Sequence, residues 1–228
     1  MASKNIVVAT HRPWHKARFE NWNPPQGYDK FLIQTQAELT KERLENLAPV
    51  YIFFPHWSWI IPRVIHEAFT CVMFHPGDVP FGRGGSPVQN LIVRGIYQTQ
   101  LSAFQVVEEL DAGPVYLKRP LDLTWGSAEE IFEKISQLTF EMIDETIRAN
   151  PVPKPQEGEV VVWKRRKPEE SCIPSGLTPR RLYDFIRMLD AEGYPRAFLA
   201  CKGYRLEFYN AHLEDGQVTA KSTMTVSA

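Results

Sequence analysis

His75 is the first residue whose setting suggests chemistry. It follows Cys71-Val72-Met73-Phe74, an apolar run of the kind that forms a buried strand, and it opens a loop, residues 75–87, that holds Gly77, Gly82, Gly84 and Gly85. An imidazole at the end of a strand can take or give a proton near neutral pH. The plainer reading is a histidine satisfied inside a core. Asp111, in Glu108-Glu109-Leu110-Asp111-Ala112-Gly113, also reads two ways. It is a turn former ahead of a small residue and glycine, or a carboxylate that orients His75 and stabilises its protonated form. Gly82-Arg83-Gly84-Gly85-Ser86 invites a nucleotide-binding reading, but Pro87 breaks G-x-G-x-x-G and no Lys-Ser/Thr pair follows. A tight turn that needs positive φ is the simpler account. Cys71 and His75 stand at C-x3-H with no second ligand pair, so no metal is expected and Cys71 is assigned to the core. Trp57-Ser58-Trp59 is either a pocket wall or ordinary packing. The basic run Lys164-Arg165-Arg166-Lys167 is either a solvated face or a phosphate contact.

These residues need a scaffold, and the first half of the chain supplies an alternating one. Strands are expected at Ile6–Ala9, Phe31–Ile33, Val50–Phe54 and Cys71–Phe74. Helices are expected at Lys41–Leu47 behind a Thr40 cap, from Pro62 at a first turn to Ala68, and over Val88–Arg94. This pattern predicts an α/β fold with a doubly wound, mostly parallel sheet. In such sheets ligands sit beyond the carboxyl ends of the strands, which places the loops His11–Trp14, Pro55–Ile61 and His75–Pro87 at one end. Two further strands, Leu101–Val107 and Val115–Leu121, flank the Asp111-Ala112-Gly113-Pro114 turn. Ser127 and Glu130 form a capping box that starts a long amphipathic helix to about Arg148.

Pro151-Val152-Pro153-Lys154-Pro155 reads as a linker, dividing a domain at 1–150 from a linker plus small C-terminal subdomain at 151–228. That tail is expected to hold a strand (Val160–Trp163), a helix (Arg180–Leu189) and short strands near Ala197–Ala200, Tyr204–Asn210 and Val218–Thr225. The last two join at an Asp215-Gly216 turn, giving an α+β appendage that ends in a β-hairpin. An open hairpin edge offers a route to a homodimer.

Composition narrows the function. The 228 residues carry 26 Lys+Arg against 27 Asp+Glu, a net charge of −1 that argues against a dedicated nucleic-acid binder. No apolar run reaches about 18 residues, so no transmembrane helix is expected. Met1-Ala2-Ser3-Lys4-Asn5 lacks the apolar stretch of a secretory signal, and Cys71, Cys172 and Cys201 show no CxxC spacing. Together these point to a reducing cytoplasm.

The loop then meets a known pattern. His75-Pro76-Gly77-Asp78-Val79-Pro80-Phe81-Gly82-Arg83-Gly84-Gly85-Ser86-Pro87-Val88-Gln89 resembles the signature of the folate-dependent formyltransferases: His, a short apolar stretch, Leu-Pro, two residues, Arg-Gly, two small residues, Pro, Ile-Gln. Leu110-Asp111-Ala112-Gly113 resembles the family's Leu-Asp-x-Gly at the family's spacing, and Ile60-Ile61-Pro62 its Ile-Leu-Pro. In the tail, Tyr183–Leu189, Pro195–Phe198 and Gly203–Leu206 resemble the start of the family's accessory C-terminal region. By size, and by Thr10-His11-Arg12-Pro13 where one branch has a glycine-rich phosphate loop, the chain is similar to the small sugar-nucleotide N-formyltransferases, with methionyl-tRNA formyltransferase a related alternative.

The resemblance implies a Rossmann-like formyltransferase fold and transfer of a formyl group from the co-substrate 10-formyltetrahydrofolate to a small-molecule amine, an amino sugar of a nucleotide-linked sugar, without a metal. It implies His75 as oxyanion stabiliser and proton mover, and Asp111 as its partner. The segments with Trp59, Ile60 and Ile61 and with Val107, Glu108 and Leu110 would hold the pterin, and Arg83, Gly84 and Ser102 would lie at the acceptor. Two departures stand out. The family has Asn two residues before the His, where this chain has Met73, which cannot donate a hydrogen bond. Ser102, Gln89 and Asn90 are the candidates to replace that donor; otherwise the chain is a slow enzyme, one altered toward another amine, or a folate-binding relative without catalysis. Gln100-Leu101-Ser102-Ala103-Phe104 stands where the family has Gly-Val-Thr-Ile-His.

Overall fold

The computed structural model describes residues 3–226. Met1 and Ala2, at the head of the segment read for a secretory signal, lie outside the described residues. The chain runs β1 (Lys4–Ala9), α1 (Pro13–Asn21), β2 (Tyr28–Ile33), α2 (Lys41–Leu47), β3 (Pro49–Pro55), α3 (Arg63–His66), β4 (Cys71–Pro76), β5 (Phe81–Gly84), α4 (Pro87–Arg94), β6 (Gln98–Gln105), β7 (Val115–Asp122) and α5 (Ala128–Ala149). It continues with β8 (Val161–Trp163), α6 (Pro179–Arg187), β9 (Ala197–Cys201), β10 (Tyr204–Glu214) and β11 (Gln217–Val226).

The central sheet has six strands in the order β2-β1-β3-β4-β6-β7. The pairs β1–β2, β1–β3 and β3–β4 are parallel, and β4–β6 is antiparallel. The expected mostly parallel α/β sheet is therefore present. Its central strands read as unbroken apolar runs because both faces are covered: Ile6, Val7, Val8 and Ala9 of β1 and Ile52, Phe53 and Phe54 of β3 are wholly buried. A core cluster on one side joins Val7, Ala9, Ile33, Leu44, Ile52, Phe54, Trp57, Ile61 and Cys71. Burial pushes the Cys71 thiol up to about 12, which suits a core residue and not a nucleophile.

Two compact units interleave along the sequence. One takes in the chain up to Arg83, Gln100–Leu121 and Glu133–Val162. The other takes in Gly84–Thr99, Asp122–Phe132 and the chain from Trp163 onward. In the first, the proline-rich stretch is strapped down, because Lys154 and Val115 exchange backbone hydrogen bonds of 2.6 and 2.8 Å. In the second, β9, β10 and β11 form an antiparallel sheet, with Asp215 and Gly216 both at positive φ in the β10–β11 turn, as a type I′ hairpin requires. Most of β11 is exposed, and it is the edge of that sheet.

Local signals mostly act as expected. Thr40 Oγ1 accepts from the Arg43 amide, and Ser127 and Glu130 exchange the two bonds of a capping box. Three elements differ. Pro62 is the residue before α3, which ends at His66 and stops short of Ala68. The loop after His75 contains the short strand β5. Helix α1 takes in Pro13 and Trp14 of the expected His11–Trp14 loop and runs on through a stretch that carried no element signal; its sequence PWHKARFEN has almost no apolar stripe, and it buries Trp14, His15 and Phe19.

His15 has a measurable consequence. It is 1% exposed, and neither ring nitrogen has a hydrogen-bond partner among the described residues. Burial first, then the charges of Arg12, His11 and Arg18, hold its pKa down at about 3. The folded state keeps His15 neutral, whereas the unfolded chain takes up a proton near the ordinary histidine value of about 6.5. The unfolded state thus binds more protons between those values, and stability falls as pH drops below about 6.5. Between pH 6.5 and pH 5 this site removes about 2 kcal/mol. Denaturant titrations at the two pH values should show that loss in the wild type. A His15→Phe chain should lack this component; an identical pH dependence in both chains would refute it.

Candidate active site

β4 places Cys71, Met73 and His75 on one face of the sheet, since side chains alternate along a strand. The antiparallel register with β6 sets His75 opposite Ser102 and Met73 opposite Phe104. His75 is 5% exposed. Its Nε2 lies 2.8 Å from the Gly82 carbonyl. A carbonyl only accepts, so Nε2 carries the hydrogen and Nδ1 is left to take a further proton. Nδ1 is 3.6 Å from Asp111 Oδ2, with both side chains below a tenth exposed. A proton arriving on Nδ1 therefore meets a carboxylate across a short, water-poor gap.

The approach of Asp111 is not the one a parallel sheet suggests. β6 runs antiparallel to β4 and ends beside Cys71, with the Val106 amide on the Cys71 carbonyl. The chain then doubles back, and Asp111 reaches His75 from a left-handed turn at φ 54°, which Asp tolerates better than most residues. Gly113 makes that return path possible. A Cβ there would lie 1.7 Å from the Gln105 carbonyl oxygen, closer than any relaxation of one side chain can cure. Gly113→Ala should destabilise the fold by about 3 kcal/mol or more, as severe overpacking does. A thermal midpoint within a degree or two of wild type would contradict this. Gly77 is similarly tight, because a Cβ would meet the His75 ring at 2.9 Å. Its carbonyl takes the Ser102 hydroxyl at 2.7 Å.

Ser102, expected at the acceptor, is fully buried with its hydroxyl given to Gly77. Arg83 is 8% exposed and spends its guanidinium on Glu109 Oε1 (3.0 Å) and Gln156 Oε1 (3.1 and 2.8 Å). Gly84, at φ 100°, is a close-approach glycine: a Cβ would lie 2.2 Å from the Trp163 carbonyl oxygen. All three are committed to protein groups. The candidate replacements for the family asparagine are committed as well. Gln89 Nε2 donates to the Met188 carbonyl (3.1 Å), and Asn90 Nδ2 to the carbonyls of Gly85 (2.8 Å) and Lys164 (3.1 Å). Met73 is half-buried and packs against the core cluster.

The two segments expected to hold a pterin lie outside the sheet ladders. Trp57 is 8% exposed and packs on Phe54, so it belongs to the core. Trp59 is 36% exposed, set against the rings of His11 (4.7 Å) and Trp57 (4.8 Å). Ile60 and Leu110 are exposed, whereas Ile61 is a core side chain that offers a ligand only its backbone. Val107 is half-buried, and Glu108 is exposed with the Arg63 guanidinium at 3.9 Å. Exposed apolar side chains beside irregular backbone suit a flat heteroaromatic ring, whose edge needs hydrogen bonds and whose faces need apolar contact. No group of three or more His, Cys, Asp or Glu that could hold a metal occurs among the described residues. No described helix is long and apolar enough to cross a membrane.

The fold and site together are a mostly parallel α/β sheet that carries a buried histidine–carboxylate pair. Comparison with known proteins sharpens this. Residues 168–225 match the family model "Methionyl-tRNA formyltransferase, C-terminal domain". A methionyl-tRNA formyltransferase of Thermodesulfovibrio yellowstonii is 26% identical over 93% of this chain and 74% of its own length. Other curated methionyl-tRNA formyltransferases are spanned over about half their length, 48% and 58% in two cases. A solved structure described as a methionyl-tRNA formyltransferase from Clostridium thermocellum is 47% identical, with TM-score 0.92, over 98% of this chain and all of that one. The chain belongs to the formyltransferase family.

Two more distant structures share the fold alone. HypX from Aquifex aeolicus, in complex with tetrahydrofolic acid, is 20% identical with TM-score 0.75 over 92% of this chain and 38% of that one. A sugar N-formyltransferase from a Shewanella strain is 14% identical with TM-score 0.67 over 96% of each chain. The expected nucleotide-sugar acceptor draws less support from these likenesses than the methionyl-tRNA alternative, since the sugar enzyme shares the fold at 14% identity and the Clostridium thermocellum protein is 47% identical. Short length does not separate the two readings, because the Clostridium thermocellum chain is matched over its whole length by 98% of this one.

Proposed function

We propose that this chain moves a formyl group from 10-formyltetrahydrofolate to the α-amine of methionyl-tRNA. The observation that carries this is the His75–Asp111 pair within the family's own motif, in a chain 47% identical to a protein described by that activity. The chemistry of formyl transfer gives the pair its task. An attacking amine must lose a proton and the departing folate nitrogen must gain one. The pair takes the amine's proton, held as a His75 imidazolium beside the Asp111 carboxylate, and returns it to the folate nitrogen as the bond from that nitrogen to the formyl carbon breaks. Trp59, Ile60, Val107, Glu108 and Leu110, with the backbone at Ile61, would bind and orient the pterin, and the donor supplies the activated formyl carbon. Arg83 and Ser102 act by holding the loops beside His75 and Asp111, and Gly84 by its close approach to Trp163.

The test is an acceptor panel. Purified protein, 10-formyltetrahydrofolate, and either initiator methionyl-tRNA or a nucleotide-linked amino sugar are mixed, and formylated product is read by mass. Formyl-methionyl-tRNA formed at a rate proportional to enzyme supports the reading. Formyl transfer only to the amino sugar, or to neither, overturns it; in the second case a folate-binding protein without catalysis remains.

A further inference from the structure

Gln156 lies just past the proline-rich stretch and is half-buried between exposed Pro155 and Glu157. An amide offers two donor and two acceptor positions, and Gln156 uses all four. Its Oε1 accepts from Arg83 Nε (3.1 Å) and Nη2 (2.8 Å), and its Nε2 donates to the backbone carbonyls of Asp111 and Gly113 (2.8 Å each). The partners dictate the orientation, because a guanidinium only donates and a carbonyl only accepts. The contacts close a circuit. His75 Nε2 donates to the Gly82 carbonyl, Arg83 follows Gly82, Gln156 ties Arg83 to the Asp111 carbonyl, and Asp111 Oδ2 faces His75 Nδ1.

We propose that Gln156 is a positioning residue that locks the Asp111 turn to the His75 loop and so sets the separation of the pair. The proposal rests on the formyl-transfer reading for its effect on turnover. Two features make one side chain decisive. Asp111 is held at φ 54°, a conformation that surrounding contacts must impose. Among the described residues Arg83 has one other side-chain partner, Glu109, which is 76% exposed and therefore a weak anchor in water. Without the amide, the Asp111 carbonyl and the Arg83 loop lose their common tie, and the 3.6 Å gap loses its constraint.

Gln156→Met keeps the length and removes every hydrogen bond. Gln156→Glu keeps the Arg83 contact but turns an oxygen toward two carbonyls. Each should lower kcat about 10- to 100-fold, as an ångström-scale misplacement does, with KM for 10-formyltetrahydrofolate and methionyl-tRNA changed less than about 3-fold. In an Asp111→Asn background the same change should cost less than about 3-fold, because it acts through the lost carboxylate. Equal losses in both backgrounds, or no loss in chains that melt like wild type, overturn the proposal. If Gln156→Met does not fold, Gln156→Glu decides. A readout independent of turnover is the nitrogen-15 spectrum of the His75 ring, assigned by its disappearance in His75→Gln. The Gln156 variants and Asp111→Asn should move the Nδ1 resonance in the same direction without adding. An unmoved resonance in both Gln156 variants overturns the proposal. A wild-type chain that transfers no formyl overturns the functional reading and leaves the spectrum to judge Gln156.

Discussion

Replacing His75 by alanine should lower kcat for formyl transfer by about 10²- to 10⁴-fold, the range of a lost general acid–base group. The chain should remain folded, because His75 has a single short hydrogen bond, to the Gly82 carbonyl, and sits at the end of β4 and not in the core cluster. Asp111→Asn is the cleaner partner experiment. Asparagine also tolerates the left-handed backbone at φ 54°, so the turn persists while the charge facing Nδ1 is removed. It should reduce kcat by a similar order with little change in thermal midpoint. Retention of wild-type kcat by either variant would remove the roles assigned to the pair.

Met73→Asn should raise kcat by about 10²- to 10³-fold, the effect of one oxyanion donor in other enzymes. Met73 lies on the same strand face as His75, two residues earlier, and a thioether gives no hydrogen bond to a developing negative charge. The amides and hydroxyl that sequence offers as replacement donors are spent: Ser102 on Gly77, Gln89 on Met188, Asn90 on Gly85 and Lys164. Asparagine is smaller than methionine and Met73 is only partly buried, so the penalty in stability is modest beside the gain. A fall in kcat for a folded Met73→Asn chain would mean that the charge is stabilised elsewhere and that Met73 fills a shape the substrate needs.

Much of the scaffold was legible because its signals are local. Thr40, the Ser127–Glu130 box and the Asp215-Gly216 turn each act within four residues, and the apolar runs of β1, β3 and β4 are long enough to mark buried strands. What stayed hidden depends on chain reversal and on burial. β5 has four residues and two glycines and carries no strand pattern. α1 is held by Trp14, His15 and Phe19 and not by an apolar stripe. The His75 and Asp111 motifs were visible, but not that Asp111 returns from the far end of β4, which rests on the antiparallel direction of β6. Arg83 has the look of a ligand-binding arginine in sequence; only its buried guanidinium and its tie to Gln156 show it working on the loops. Gln156 gave no signal at all, since a glutamine after a proline-rich stretch looks like any solvated linker residue.

The central claim is that this chain is built around a folate formyl donor beside His75 and Asp111. A calorimetric titration with a stable 10-formyltetrahydrofolate analogue, repeated while following tryptophan fluorescence in wild type and Trp59→Phe, tests it most directly. The account predicts saturable binding in the micromolar range typical of enzyme substrates, with a fluorescence change that shrinks in Trp59→Phe. Neither heat nor fluorescence change up to millimolar analogue would contradict it and return His75 and Asp111 to a structural pair in an α/β domain.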